Sequence, residues 1–188
     1  MRIAQGTRGR VFGMNARIKR FLEYYIGDIV YGANDGIITT FAVVAGAAGA
    51  GFSAHIIIVL GIANLIADGF SMGASKYLSL ASEQSLETAR SQARSPLGDG
   101  IATFVSFVAV GALPLIPFFT PGAEMSAFLV SSAATAATLF LVGSARSLVI
   151  NKNPFVAGME MLLVGGAAAI IAYMLGSFLQ AFVISAWI

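Results

Sequence analysis

Long apolar runs separated by short polar punctuation dominate the chain. Five windows, about 28–50, 54–80, 99–119, 124–149 and 156–187, reach the ~20 mostly apolar residues that a helix needs to cross a bilayer. The connection around Gly49 to Ser53 is very short, and Ser53 reads as the N-cap of the second helix. Ser95-Pro96 and Asn153-Pro154 each place a capping residue before a proline in the first helical turn. Pro121-Gly122 marks a turn between spans three and four, and Pro114 and Pro117 should kink the far end of span three. The expected fold class is all-α: a polytopic membrane protein whose residues 28–188 form a domain of five transmembrane helices.

Residues 1–27 follow a different pattern. Val11, Met14, Ile18, Phe21, Leu22 and Tyr25 recur at helical spacing among six basic residues, Arg2, Arg8, Arg10, Arg17, Lys19 and Arg20. That fits an amphipathic helix lying on an anionic leaflet, so membrane lipids are expected partners. A nucleic-acid-binding arm is the rival reading, but attachment to a membrane span favours lipid, and no nucleic acid is expected. No apolar core follows the first basic residues closely enough for a cleaved signal peptide. Lys76, Arg90 and Arg94 fall at or beyond the end of span two, and Arg146 and Lys152 around the connection from span four to five. All eleven Lys and Arg then lie on one side of a five-span chain. By the positive-inside rule that side is cytoplasmic, with the C-terminus and Trp187 on the opposite side.

Composition agrees. The 188 residues are 57% hydrophobic and 11% charged, against about 25% charged in soluble domains. There is no cysteine, which excludes disulfides and thiolate metal sites, and a single histidine excludes a His-cluster zinc site. His55, at the far start of span two, reads as an interfacial polar residue rather than a metal ligand or pH sensor. No nucleophile–base pair, nucleotide loop or cofactor motif is present, so neither an enzyme nor a bound cofactor is expected.

The chemistry lies in two polar stripes. Asp28, Gly32, Asp35 and Thr39 share one face of span one, with Asn34 adjacent; Asn64, Asp68 and Met72 recur every four residues in span two. An aspartate at mid-bilayer costs roughly 2.5–3.5 kcal/mol on insertion scales. A purely structural acid at that depth needs a cationic partner, and the spans offer no central Lys or Arg. Carboxylates and amide oxygens suit hard and borderline divalent cations, and a thioether tilts preference toward transition metals. Carboxylates also carry protons, which permits proton-coupled exchange. Bland readings exist beside these: Asp28 solvated near the interface, Met72 as packing, Asn64 as interhelical glue. Glu160, near the start of span five, reads either as a cytoplasmic entrance carboxylate or as a partner of Arg146 or Lys152.

Gly32 and Gly36, and likewise Gly69 and Gly73, are small-xxx-small pairs that let helices approach closely. Because they flank the acids, spans one and two are expected to close around an ion path. Five thin helices enclose little space, so a homodimer with the path at its interface is expected. Ser131, Thr135 and Thr138 line up on span four, where back-bonding to the preceding turn is the favoured reading over a polar lining.

The run Asp28-Ile-Val-Tyr-Gly-Ala-Asn-Asp-Gly-Ile-Ile-Thr-Thr-Phe-Ala-Val-Val-Ala-Gly resembles the first span of the vacuolar iron transporter family. Ala67-Asp-Gly-Phe-Ser-Met-Gly-Ala-Ser-Lys-Tyr-Leu, ending at Ser82-Glu83, resembles its second; Ser95-Pro96 and Met161-Leu-Leu-Val-Gly also match. The resemblance covers about residues 24–186. It implies a five-span homodimer that moves Fe²⁺, and often Mn²⁺, out of the cytosol in exchange for protons. By position it makes Asp35 the central metal and proton carboxylate and Met72 its partner ligand. The chain departs from that pattern twice. The glutamate-rich cytoplasmic domain that plant and fungal members carry between spans two and three is reduced to about Glu83 to Ser95, with Glu83 and Glu87 its acids. The span-two glutamate of those members aligns with Asn64, and Asp68 follows one turn later as a displaced carboxylate. A passive cation channel and a non-transporting scaffold are the other functions weighed. The absence of a targeting extension suits a bacterial cytoplasmic membrane.

Overall fold

The computed structural model describes residues 16–86, 94–120, 124–147 and 152–187. Five helices follow in order: α1 (Ala16–Gly49), α2 (Ala54–Ser85), α3 (Pro96–Gly111), α4 (Glu124–Arg146) and α5 (Pro154–Trp187), with a 3₁₀ segment Leu113–Phe119 completing span three. The apolar stretches Tyr24–Gly49, Ala54–Ser85, Pro96–Phe119, Met125–Arg146 and Pro154–Val183 are each long enough to cross a membrane. The all-α polytopic membrane class therefore holds. In hydrocarbon every backbone N–H and C=O must be satisfied within the chain, and helices do this locally. Arg2, Arg8, Arg10, Val11, Met14, Glu87, Arg90 and the Pro121-Gly122 turn lie outside the described residues.

The punctuation works as chemistry requires. At the end of α1 the Phe52 N–H bonds to the Ala47 carbonyl and the Gly51 N–H to that of Ala48, both at 3.0 Å. This Schellman arrangement puts Gly51 at φ 70°, a left-handed conformation glycine takes without steric cost. Ser53 has the extended backbone of an N-cap, but its side chain makes no cap bond. Ser95 does cap α3, its Oγ accepting from the Gly98 N–H at 3.2 Å with Pro96 in the first turn. Asn153 Oδ1 accepts from the Phe155 N–H at 2.9 Å beside Pro154. The expected boundary between residues 27 and 28 falls within one continuous helix, α1, from Ala16 to Gly49. Gly27 is the one helix-weakening residue near that point, too little to end an otherwise continuous helical pattern.

Successive helices run up and down, so the basic side of the sequence becomes one physical end of the bundle. Lys76 near the end of α2 meets Asp28 near the start of α1, and Arg94 before α3 reaches the same carboxylate. We call this the basic end. α1 is central and touches all four other helices. Its Gly32 and Gly36 lie against α3, where a Cβ would strike the backbone carbonyls of Thr103 and Phe107. Toward the far end Gly46 and Gly49 lie against Ala172 and Tyr173 of α5.

The glycine pairs thus do something other than expected. Gly69 and Gly73 of α2 also face α3, against Phe104, Phe107 and the Gly100 carbonyl. α3 is the wedge that both pairs admit, with Phe107 fully buried between them. A small-xxx-small face encodes close approach but not the identity of the approaching helix.

Span four also resolves. Of the three hydroxyls Thr138 back-bonds, to Ala134 at 2.8 Å, while the buried Thr135 Oγ1 has no partner among the described residues, so the back-bonding expectation holds for one of them. Ser131 instead donates at 2.6 Å to the Pro114 carbonyl. In a 3₁₀ segment that carbonyl would accept from residue 117, which is a proline without an N–H. Ser131→Ala leaves a buried acceptor unpaired, so we predict a loss of about 1–3 kcal/mol, measured by denaturation of the purified protein in detergent.

Candidate metal-binding site

The Asp28–Lys76 ion pair, at 2.8 Å, fixes the register of α1 against α2. Seven residues farther along α1 stands Asp35, and eight residues back along α2 stands Asp68. At 1.5 Å per residue these steps rise about 10.5 and 12 Å, so the two acids lie at nearly the same height. The register continues: Val43 and Leu60, the next positions at one height, line a common apolar cavity at the far end.

Asp35 and Asp68 are both half-buried. Among the described residues neither makes an ion pair, and no Lys, Arg or His lies within two helical turns of either along its helix. Two acidic side chains at one height, with no ion-pair partner among the described residues, form an arrangement that binding a cation or protons would relieve. Met72, one turn from Asp68, is half-buried and packs against the core around Phe41 and Phe107. Asn64, one turn on the other side, is half-buried, and its buried Nδ2 has no hydrogen-bond acceptor. Among the described residues no three His, Cys, Asp or Glu side chains converge as a complete metal cage within one chain.

Two of the remaining candidates are committed elsewhere. Asp28 is not solvated: its side chain is 5% exposed and bonded to Lys76 and Arg94. Glu160 accepts from Lys152 at 2.9 and 3.1 Å on an exposed part of α5, so of the two proposed partners Lys152 is the one it takes.

Asp99 was not foreseen. Its side chain is fully buried, paired with Arg94 Nε at 2.8 Å, and its Oδ1 has no donor. In the sequence it sits in the first turn after Ser95-Pro96, where an acid is ordinary complementation of the helix dipole. Arg94 joins both acids, and Tyr24 holds it from the other side, its ring centroid 5.7 Å from the guanidinium and its hydroxyl accepting from the Ser95 N–H at 2.8 Å. Burial disfavours the Arg94 charge, but Asp28 and Asp99 outweigh that and hold its pKa above the ordinary arginine value.

Five apolar helices with two half-buried acids at one height inside the spans, neither in an ion pair among the described residues, define a polytopic membrane protein with intramembrane acids. The chain belongs to the VIT family, whose model matches residues 26–95 and 83–177. It is 27% identical to a vacuolar iron transporter of Toxoplasma gondii, over 83% of this chain and 74% of that one. It is 25% identical to one of Plasmodium falciparum, over 81% of each. A shorter stretch, 31% of this chain and 24% of its relative, is 41% identical to vacuolar iron transporter 1 of Arabidopsis thaliana. The Toxoplasma alignment runs over 225 positions while using 83% of a 188-residue chain, so tens of positions are filled by the relative alone. The two family-model segments meet at residues 83–95, which is the short α2–α3 connection.

Proposed function

We propose that this chain is a transporter of a divalent transition metal, Fe²⁺ or Mn²⁺, that moves the ion from the basic end to the far end in exchange for protons. The observation that carries this reading is the placement of Asp35 and Asp68 at one height between α1 and α2 without a compensating cation. Family membership supports iron as cargo, since the relatives bear the name vacuolar iron transporter. Two carboxylates and the Met72 sulfur supply the hard and soft donors such an ion prefers. Because one chain assembles no complete cage, we assign the remaining ligands to a second copy across the acidic face, in a homodimer. By the positive-inside rule we assign the basic end to the cytosol, which makes the direction export.

In this reading the carboxylates alternate between metal and protons. Loading two anions with Fe²⁺ neutralises them for passage through hydrocarbon, and protonation on the far side does the same for the return. The Asp28–Lys76–Arg94–Asp99 cluster closes the basic end by ion pairs, which favours an alternating carrier over an open channel.

Uptake into proteoliposomes under an imposed pH difference tests this. A carrier of this kind accumulates Fe²⁺ or Mn²⁺ faster when the receiving side is the acidic one, and discriminates against Mg²⁺. A passive channel would give a flux indifferent to the proton gradient, and a scaffold would give none.

A further inference from the structure

At the basic end four charges of alternating sign form one cluster: Asp28 on α1, Lys76 on α2, Arg94 just before α3 and Asp99 on α3. Asp28 of α1 and Asp99 of α3 are 5% and 0% exposed, while their partners Lys76 and Arg94 are 30% and 34% exposed. The two cations are not held alike. Arg94 bonds both acids, its guanidinium stands over Tyr24, and its carbonyl accepts from Gln84 Nε2 at 2.7 Å. Lys76 is held by the Asp28 Oδ1 ion pair. Its ammonium sits on a flexible four-carbon stem and hydrates readily once released. Asp28 lies on the same α1 face as Asp35, about 10.5 Å toward the basic end. A cation travelling along that face from the basic end meets Asp28 before it meets Asp35.

We propose that Lys76 is a tethered competitor ion: its ammonium occupies Asp28 and locks the basic end, and a divalent cation gains the α1–α2 face by displacing it, while Arg94 stays in place as the fixed counter-charge. This rests on the transport reading above. Displacement has a clear electrostatic logic. A divalent ion brings twice the charge of the ammonium to Asp28, and Lys76 swings into water without leaving a buried charge unpaired. The same exchange by Arg94 would strip Asp99 of its partner in a fully buried position, which is costly. The lock also keeps monovalent cations out, because they offer Asp28 no more charge than Lys76 does.

The test uses the full chain in detergent, with Mn²⁺ binding read by electron paramagnetic resonance, alongside proteoliposome flux. Lys76→Met should tighten Mn²⁺ binding, and lower KM for Mn²⁺ flux, by roughly three- to tenfold, the worth of one partly buried ion pair. Lys76→Arg, which keeps the charge, should stay near the parent value. Asp28→Asn placed on Lys76→Met should abolish the gain. If Lys76→Met fails to fold, Lys76→Gln carries the same expectation. Binding by folded Lys76→Met or Lys76→Gln that equals or falls below the parent overturns the lock and reduces the pair to a structural strap. The two readings fail separately. Tighter Mn²⁺ binding through Asp28 without proton-linked flux sinks the carrier reading and keeps the lock, whereas intact flux with unchanged binding does the reverse.

Discussion

Asp35→Asn should abolish metal-driven proton exchange and weaken Mn²⁺ or Fe²⁺ binding by about 100-fold. The substitution keeps the shape of the side chain and removes only its charge and one acceptor oxygen. Even residues that merely orient a metal ligand cost ~10–100-fold in affinity when lost, so a carboxylate touching the ion belongs at the top of that range. Asp35 is the position where this effect should be largest, because it sits on the central helix at the height of Asp68 and makes no ion pair among the described residues. Asp68→Asn should produce the same loss in smaller measure, and flux unchanged by it would remove Asp68 from the site. The checks are titration of the purified protein and initial rates in proteoliposomes. Folding should survive both changes, since neither acid makes an ion pair among the described residues.

The second large effect is on assembly of the bundle. Gly36→Ala should destabilise the protein by about 2–3 kcal/mol or more, the upper range for overpacking. A Cβ at that position lands on the backbone carbonyl of Phe107, and α3 returns the contact, since a Cβ at Gly111 would meet the Gly36 carbonyl at 2.7 Å. Backbone cannot step aside as a flexible side chain can, so the two helices must separate. Gly166→Ala is the internal control, because nothing lies within 4 Å of a Cβ there. That substitution should be neutral or gain up to ~1 kcal/mol from helix propensity. Thermal melts of the two variants in the same detergent give the comparison. Equal behaviour would mean that α1 and α3 are not in the tight contact described.

The spans and most of their ends were legible in the sequence because hydrocarbon leaves the backbone little choice. Ser95-Pro96 and Asn153-Pro154 act as capping chemistry says they should, whereas Ser53 takes the N-cap backbone without a side-chain bond. Partner choice was less legible. Gly32, Gly36, Gly69 and Gly73 announce close contacts, but nothing in their spacing says that α3, through Thr103, Phe107 and Gly100, is the helix that approaches them. Asp28 looked like a surface acid because its two cations come from 48 and 66 residues downstream. Asp99 was hidden for the opposite reason, since a first-turn acid beside a capping serine has a sufficient local explanation. Asp35 and Asp68 stood out because their depth allows few explanations at all. Met72 shows the limit of a stripe read from spacing: it lies on the acidic face and also packs against the Phe41–Phe107 core.

The most direct measurement is an anomalous scattering map of the full protein crystallised with Mn²⁺. Metal density between α1 and α2, bonded to a carboxylate oxygen of Asp35 and reached by Asp68, is the expected result. A map in which both side chains are enclosed by apolar neighbours, with metal absent there or bound only at the bundle's surface, would contradict it.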